Sequence, residues 1–197
     1  MKKLLLLAGL LVVAGSAFAE EAAKNVKTEA SKNVDIYAQV VTDLNIDTEP
    51  LNFGALGISD EKIISQGETG AGSFTITGAS NTNIILSISD TDNDNKSKFE
   101  NGEITAFLKR IKPNGENDGS NNGKLLPTIK IYDGGELLAN NIISITSTTS
   151  LHKPQAKKFD VVGSVTTSDS QNTGNYKGAI KVTAKYDSWS GPVNKVD

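Results

Sequence analysis

Apolar and polar residues alternate along much of this chain, and this period of two constrains the fold more than any other feature of the sequence. Successive side chains of a β-strand point to opposite faces, so the alternation predicts strands with one buried and one solvated face. The longest stretch has these positions on one side, with mostly polar residues between them: Val34, Ile36, Ala38, Val40, Thr42, Leu44 and Ile46.

Shorter alternating stretches follow, separated by Gly, Asn and Asp. Asp133-Gly134-Gly135 lies between two of them and predicts a hairpin turn. About nine short strands with this punctuation predict an all-β fold, a two-layer antiparallel immunoglobulin-like sandwich with no helix longer than a turn or two. The further strand candidates are 74–78, 84–88, 104–111, 125–132, 137–138, 142–146, 159–165 and 180–186.

The N-terminus has the organisation of a secretory signal peptide. Lys2 and Lys3 precede an apolar run, and Ala17-Phe18-Ala19 supplies the small-residue cleavage pattern. The run is shorter than the ~20 residues of a membrane-spanning helix, and a retained interfacial anchor is the alternative. We therefore expect a signal peptide over 1–19, a flexible leader over 20–32 and one domain over 33–197, exported through the inner membrane without stable membrane insertion.

Composition excludes several classes of function. The net charge of −3 offers no basic surface for nucleic acid or anionic lipid. The absence of cysteine excludes disulfides, thiol catalysis and zinc–thiolate sites. The only histidine, His152, lies beside Lys153-Pro154 with neither a nucleophile elbow nor a second histidine to support a catalytic site. We expect no enzymatic activity and no cofactor.

One acidic loop has the rhythm of a calcium site. Asp90, Asp92 and Asp94 alternate as carboxylate ligands of a hard cation do. The pattern then departs from a calcium loop, because Asn95 stands where the sharp turn needs glycine and Asn101 where a bidentate glutamate belongs. A plain hydrophilic loop is the competing interpretation, and 113–123 is predicted to be a second, mobile loop.

Aromatic side chains suggest a second kind of binding site. Stacking on exposed rings is a common way to hold a sugar, but only 6% of the residues are aromatic. Packing in the core is the competing interpretation for most of them. The candidates for a glycan-binding face are Tyr37, Tyr132, Tyr176, Tyr186 and Trp189.

Four short segments together carry a resemblance to a known kind of protein. They are 51–54 (LNFG), 72–78 (GSFTITG), 134–137 (GGEL) and 174–186 (GNYKGAIKVTAKY). The combination resembles secreted Gram-negative β-sandwich domains of unassigned function and the colonisation-factor pilins of the alternate chaperone–usher pathway. In the last segment Gly174 and Gly178 would permit tight turns around Tyr176, whose ring would cap the core and whose hydroxyl would bond to the backbone.

The resemblance implies a structural, pilin-like subunit of the periplasm, cell surface or fimbrium. In those pilins a segment similar to 32–40 is a donor strand that enters the groove of a neighbouring subunit. The implied partners are other copies of the chain or a periplasmic chaperone and usher. The donor positions would be Val34, Ile36, Ala38 and Val40.

Two alternatives stay open at the level of sequence. Residues 34–46 would equally serve as the domain's own first strand, paired within the chain. The protein would then be a monomeric periplasmic or surface binding module for calcium or glycan, with the acidic loop or Trp189 in the binding site.

Overall fold

The structure, a computed structural model, describes residues 31–92, 97–148 and 153–188. Within these ranges the regular structure is β, apart from a short 3₁₀ turn over Asn121–Gly123. The strands are β1 (Asn45–Glu49), β2 (Glu61–Ile64), β3 (Gly72–Gly78), β4 (Asn83–Asp90), β5 (Glu103–Thr105), β6 (Leu108–Ile111), β7 (Lys124–Leu125), β8 (Thr128–Asp133), β9 (Glu136–Leu137), β10 (Ile142–Ser144), β11 (Gln155–Thr166), β12 (Asn175–Lys177) and β13 (Ile180–Tyr186).

The larger sheet is built around β11, the longest strand. Its order is β1-β3-β11-β8-β5, with β2 also paired to β11 and β9 also paired to β8. Every pairing is antiparallel. The antiparallel arrangement fits the sequence, because short loops suffice to connect antiparallel neighbours.

Two further sheets complete the fold. The second sheet has the order β10-β4-β13, so β4 lies in its centre and β13 at one edge. A small third sheet has the order β12-β6-β7. Only Gly178 and Ala179 separate β12 from β13, so the chain passes directly from the small sheet into the second sheet.

The core lies between the larger and the second sheet. Alternate residues of both sheets point inward and form one buried cluster. At its centre the rings of Phe74 and Phe159 stack with their centroids 4.8 Å apart. The predicted all-β, two-layer antiparallel sandwich is confirmed. The largest fully buried side chains are Phe74, Phe159, Ile76, Ile84, Leu86, Ile104, Ile131 and Pro127.

Two of the predicted strands are each divided in the structure. The candidate 104–111 becomes β5 in the larger sheet and β6 in the small sheet, with the backbone NH of Ala106 donating to the carbonyl of Pro127 between them. The candidate 125–132 becomes β7 and β8, separated by Leu126 and Pro127. Proline has no NH to give to a ladder, so it ends one strand and permits the change of sheet.

The predicted hairpin at Asp133-Gly134-Gly135 is confirmed. β8 and β9 pair with Tyr132 opposite Leu137 and Asp133 opposite Glu136, which leaves the two glycines as the turn. Their φ angles of +62° and +105° lie in the left-handed region. Glycine adopts that region without the steric cost that a Cβ imposes.

The chain divides between residues 37 and 38 into two units. The first unit is described only over residues 31–37, which form neither helix nor strand. The second unit holds all the strands, and its residues 38–44 also form no strand. Of the stretch 34–46, only Asn45 and Ile46 belong to a strand within the chain, and pairing of the rest with a neighbouring copy stays a prediction. Alternation permits a strand, but the ladder of β1 with β3 begins only at Asn45, opposite Thr77.

Some predictions fall outside the described residues. The signal peptide over 1–19 and most of the leader over 20–32 belong to them, as do Asp94, His152 and Trp189. Across the segments that the structure describes, no helix has the length and apolar character needed to cross a bilayer.

Candidate functional site

The sandwich has two flanks, and one is closed by the chain itself. Residues 136–144 pair first with β8, as β9, and then with β4, as β10, so they cross from the larger sheet to the second sheet. The NH of Leu138 donates to the carbonyl of Ile131 at 2.8 Å, and Leu138, Ile143 and Ile145 are all buried. We call this side the closed flank.

On the other flank, between β1 and β13, no segment of residues 31–92, 97–148 or 153–188 makes such a crossing. Among the described strands, β1 pairs only with β3 and β13 only with β4. Thr48 and Glu49 of β1 and Ile180 and Val182 of β13 line one cavity of about 330 Å³. This side, with its two unpaired strand edges, is the open flank.

The cavity of the open flank reaches the main core. Phe74, which is almost fully buried, forms part of its wall, so the groove exposes the inner surface of the sandwich. An exposed groove of this kind, bordered by unpaired backbone groups, is a typical site for an added strand. The apolar residues that line it include Leu51, Phe53, Phe74, Leu108, Ile129 and Val161.

The inward-facing side chains of β13, at the open flank, are more exposed than those of the neighbouring strand β4. In β4, the inward residues Ile84, Leu86 and Ile88 are 0%, 2% and 7% exposed. Their partners in β13 are Tyr186, Ala184 and Val182, which together with Ile180 are only half-buried. Among the strands that the structure describes, β4 has a neighbour on each side and β13 has one, so a strand beside β13 would increase the burial of these side chains.

The groove has a narrow end and a wide end. At the narrow end the Tyr186 hydroxyl accepts a hydrogen bond from the NH of Ala79 at 2.7 Å. A Cβ placed on Gly78 would lie 2.7 Å from Leu44 Cδ2 and 2.9 Å from the Tyr186 hydroxyl, so both side chains meet there. The wide end is the cavity between Glu49 and Ile180. The start of β1 thus lies near the end of β13, and the two strands run in opposite directions.

The predicted donor positions are exposed. Val34, Ile36 and Val40 are 84%, 90% and 90% exposed, and Ala38 is also exposed. We call residues 33–41 the donor segment. Since the segment forms no strand in the described chain, the interpretation that it is the domain's own first strand does not describe this structure. Three large apolar side chains in contact with water favour burial against a partner.

The segment Gly174–Gly178 borders the wide end. The Tyr176 hydroxyl donates to the carbonyl of Asn172 at 2.5 Å and accepts from Gln171 Nε2 at 2.7 Å. Gly174 has a φ of +142°, and a Cβ on Gly178 would overlap the carbonyl oxygen of Phe107. Tyr176 belongs to the small sheet, and it is Tyr186 that packs on the main core.

A buried carboxylate holds the loop 113–123, which the sequence suggested was mobile. Asp118 accepts hydrogen bonds from the NH of Ser120 at 3.0 Å and from Arg110 Nη1 at 3.1 Å, and a third from Asn172 Nδ2 at 3.2 Å. The Ser120 bonds foremost, with those from Arg110 and Asn172, hold the pKa of Asp118 well below its usual range. Sequence reasoning missed this anchor, although Arg110 is the only arginine in the chain.

The structure gives the calcium candidates other partners. Asp92 Oδ2 lies 2.6 Å from Lys109 Nζ, and Asp90 Oδ1 accepts a hydrogen bond from the NH of Asp92 at 2.7 Å. No group of three or more acidic, histidine or cysteine ligands occurs in the portions of the chain that are described, which exclude Asp94. An ammonium group already neutralises the carboxylate of Asp92.

The three tyrosines that lie in strands do not share one face. Tyr132 alternates with the buried Ile129 and Ile131 of β8 and therefore lies on the outer side of the larger sheet. Tyr186 faces the core from the second sheet, whereas Tyr176 lies in the small sheet. A flat stacking platform of the kind that binds sugars needs rings side by side.

A larger cavity of about 590 Å³ adjoins the wide end and shares Leu51, Phe53 and Leu108 with the open flank. Its polar side chains hold loops together. Thr167 Oγ1 donates to the carbonyl of Gly57 at 2.8 Å and accepts from the NH of Asp60 at 2.9 Å. This cavity therefore adjoins the apolar groove but has a mixed lining in which polar side chains such as Thr167 are engaged within the chain.

Comparison with known proteins gives no family to which the chain can be assigned. No family model matches it, and no curated protein matches it significantly. The case for a function therefore rests on the open flank and the donor segment.

Proposed function

We propose that this protein is a non-enzymatic, exported structural subunit that assembles by strand donation. Residues 33–41 of one copy enter the open flank of the next copy. One observation carries the proposal: the same chain has an unpaired, apolar flank and an exposed segment whose alternation fits such a flank. The resemblance to chaperone–usher pilins agrees with this assignment.

Burial of the donor side chains would supply much of the free energy of association. Val34, Ile36 and Val40 would each contribute about 1.5–3 kcal/mol on full burial. Each backbone hydrogen bond to the edge of β13 or β1 would add about 0.5–1.5 kcal/mol. Ordering the segment and joining two bodies oppose these gains, so the affinity depends on the fit of the side chains.

Donation of this kind joins unlike surfaces, a segment on one copy and a flank on the next. A contact between unlike surfaces that does not close into a ring produces a filament. Before assembly the open flank would be an aggregation hazard, because its edges and apolar floor are uncovered. A periplasmic chaperone that covers the flank until assembly is the partner expected from this chemistry.

The test compares three forms of the chain from Glu20 onward by size-exclusion chromatography with light scattering. We expect the unchanged chain to form concentration-dependent multimers. Ile36→Asp would place a charge in the groove and lower the association constant roughly 10- to 100-fold, the equivalent of about 1.5–3 kcal/mol. Gln39→Asp adds the same charge on the solvent side of the segment and is the matched control, so it should assemble nearly normally.

Three results would contradict the proposal. The first is that the unchanged chain stays monomeric at high concentration, with or without a chaperone that covers the open flank. The second is multimers that Ile36→Asp leaves intact. The third is equal loss of assembly in Ile36→Asp and Gln39→Asp, which would attribute the effect to charge alone.

A further inference from the structure

We infer that the cavity of about 590 Å³ is a binding site for a neutral carbohydrate of one or two sugar rings. The cavity lies where the loop between β1 and β2, residues 51–58, meets the segment 171–176 that leads into β12. Its volume falls in the range of about 300–1,000 Å³ that is usual for small-molecule sites. The inference goes beyond strand donation and does not depend on it.

The lining of the cavity selects a ligand without charge. Every residue of the described chain that lines it is apolar, a glycine, an amide or a hydroxyl residue. A charged ligand would give up its hydration there without gaining an ionic partner, which is costly. A neutral ligand avoids that cost.

The lining has an apolar part and a polar part, and a sugar ring has both kinds of surface. The apolar part includes Leu56, Ile58, Leu125 and Val165, whereas the segment 171–176 supplies amide and hydroxyl groups. A sugar ring presents faces of C–H groups and a rim of hydroxyl groups. An apolar pocket with a few polar groups can therefore hold the faces and orient the rim.

Three polar side chains at the cavity are available to such a rim. Thr173 and Asn175 make no side-chain hydrogen bond to any residue that the structure describes, and both are exposed. Asn52 uses only its Oδ1, which accepts a hydrogen bond from the NH of Gly54 at 2.9 Å. A hydroxyl can donate to or accept from each of these groups, whereas an aliphatic ligand would leave them unused.

Two aromatic rings in the lining are already fixed in place. The Tyr176 hydroxyl donates to the carbonyl of Asn172 and accepts from Gln171 Nε2. Phe53 lies against the larger sheet, where a Cβ on Gly163 would be 3.4 Å from its ring. The C–H faces of sugars pack on such rings, and a ring that is already ordered loses little freedom when a ligand binds.

The loop between β1 and β2 is also anchored at both ends of the cavity. The NH of Asn52 donates to the carbonyl of Gly70 at 2.8 Å, and Thr167 Oγ1 donates to the carbonyl of Gly57 at 2.8 Å. The cavity is therefore formed before any ligand arrives, as most small-molecule sites are.

The test measures binding of glucose, mannose, galactose, N-acetylglucosamine and lactose to the chain from Glu20 onward by saturation-transfer NMR, which works for monomers and multimers alike. We expect at least one of these sugars to bind with a Kd on the order of 1 mM. Glucuronate and glucosamine, which carry a charge, should bind several-fold more weakly than their neutral counterparts. The bound sugar should slow hydrogen exchange in residues 53–56 and 173–176 and leave β10 unchanged.

Asn175→Ala tests the polar part of the lining. It should weaken sugar binding roughly 2- to 10-fold, the effect of one lost hydrogen bond. The melting temperature should stay the same, because the side chain is exposed and has no partner in the described chain. Asn83→Ala, which changes an exposed asparagine of β4 outside the cavity, is the matched control and should bind sugar normally.

Several outcomes would overturn the inference. The first is that none of the five sugars binds, and the second is that Asn175→Ala and Asn83→Ala weaken binding equally. The third is that cyclohexanol, which has a ring but only one hydroxyl, binds as well as the best sugar. Binding of a blocked trialanine peptide in place of any sugar would assign the cavity to peptides. None of these results bears on strand donation, which the Ile36→Asp comparison decides.

Discussion

The two flanks of this sandwich differ in a single respect, the presence of a chain segment that joins the sheets. On the closed flank residues 136–144 pass from β8 to β4, and Leu138 and Ile143 are buried. On the open flank nothing in the described chain joins β1 to β13, and Ile180 and Val182 are half-buried. Both flanks present strands with the same apolar alternation.

The comparison teaches that burial in this fold is decided by topology as much as by residue type. Ile143 and Ile180 are the same residue in the two edge strands of one sheet, yet Ile143 is buried beside the crossing segment 136–144, whereas Ile180 is only partly buried. A strand edge without a neighbour leaves its backbone NH and carbonyl groups unpaired, and its inward side chains stay partly exposed to solvent. That available surface is what the donor segment would cover.

The largest effect should come from truncating a side chain on the closed flank. Leu138→Ala is expected to lower the free energy of unfolding by about 2–5 kcal/mol, because it leaves a cavity in a complete core. Val182→Ala on the open flank should cost only about 1 kcal/mol in the monomer, since its side chain is already partly exposed to water. Urea denaturation of both variants measures the difference.

The same pair sharpens the comparison in the assembled state. Val182→Ala should become more costly in multimers, whereas the cost of Leu138→Ala should not change. Equal costs for the two variants in the monomer would mean that the open flank is already covered.

A smaller effect is expected at the narrow end of the open flank. Tyr186→Phe removes the acceptor of the Ala79 NH and should lower the free energy of unfolding by about 0.5–1.5 kcal/mol. Tyr132→Phe, which changes an outward tyrosine of the larger sheet, is the matched control and should be nearly neutral. If the Tyr186 hydroxyl closes the narrow end, Tyr186→Phe should also speed hydrogen exchange at Ala79.

An effect that shrinks in acid is expected for Asp118, the carboxylate that anchors the loop 113–123. The pKa of Asp118 is lowered in the folded chain, so its stabilising effect is complete above about pH 5, where the unfolded aspartate is fully ionised, and is lost as the pH falls toward the folded pKa. Asp118→Asn should therefore lower the melting temperature at pH 7 and differ less from the unchanged chain near pH 2. A difference that does not depend on pH would argue that the carboxylate charge is irrelevant.

The period of two in the sequence predicted most of the strands because it reports which side of a residue faces the core. It identified β3, β4, β11 and β13 and the turn at Gly134-Gly135. It joined β7 to β8 although Pro127, which interrupts them, is visible in the sequence. It also extended the first strand back to Val34, because alternation indicates that a segment fits a sheet and not that a partner edge lies beside it.

The candidate site was predictable only on one side. Val34, Ile36, Ala38 and Val40 were identified as donor positions from their spacing. The groove that would receive them depends on which strands lie at the edges, and edge positions follow from long-range pairing that a local pattern does not encode. Asp118 was missed for the same reason, since Arg110 and Asn172 reach it from other parts of the fold.

The most direct test of strand donation is hydrogen exchange on a chain that lacks residues 33–41, with and without a synthetic peptide of those residues. The peptide should slow exchange of amides in β13 and β1 and leave β5 and β10 unchanged, while a peptide with Ile36→Asp should have little effect. Protection that appears at the closed flank, or no protection of β13 at saturating peptide, would contradict the account.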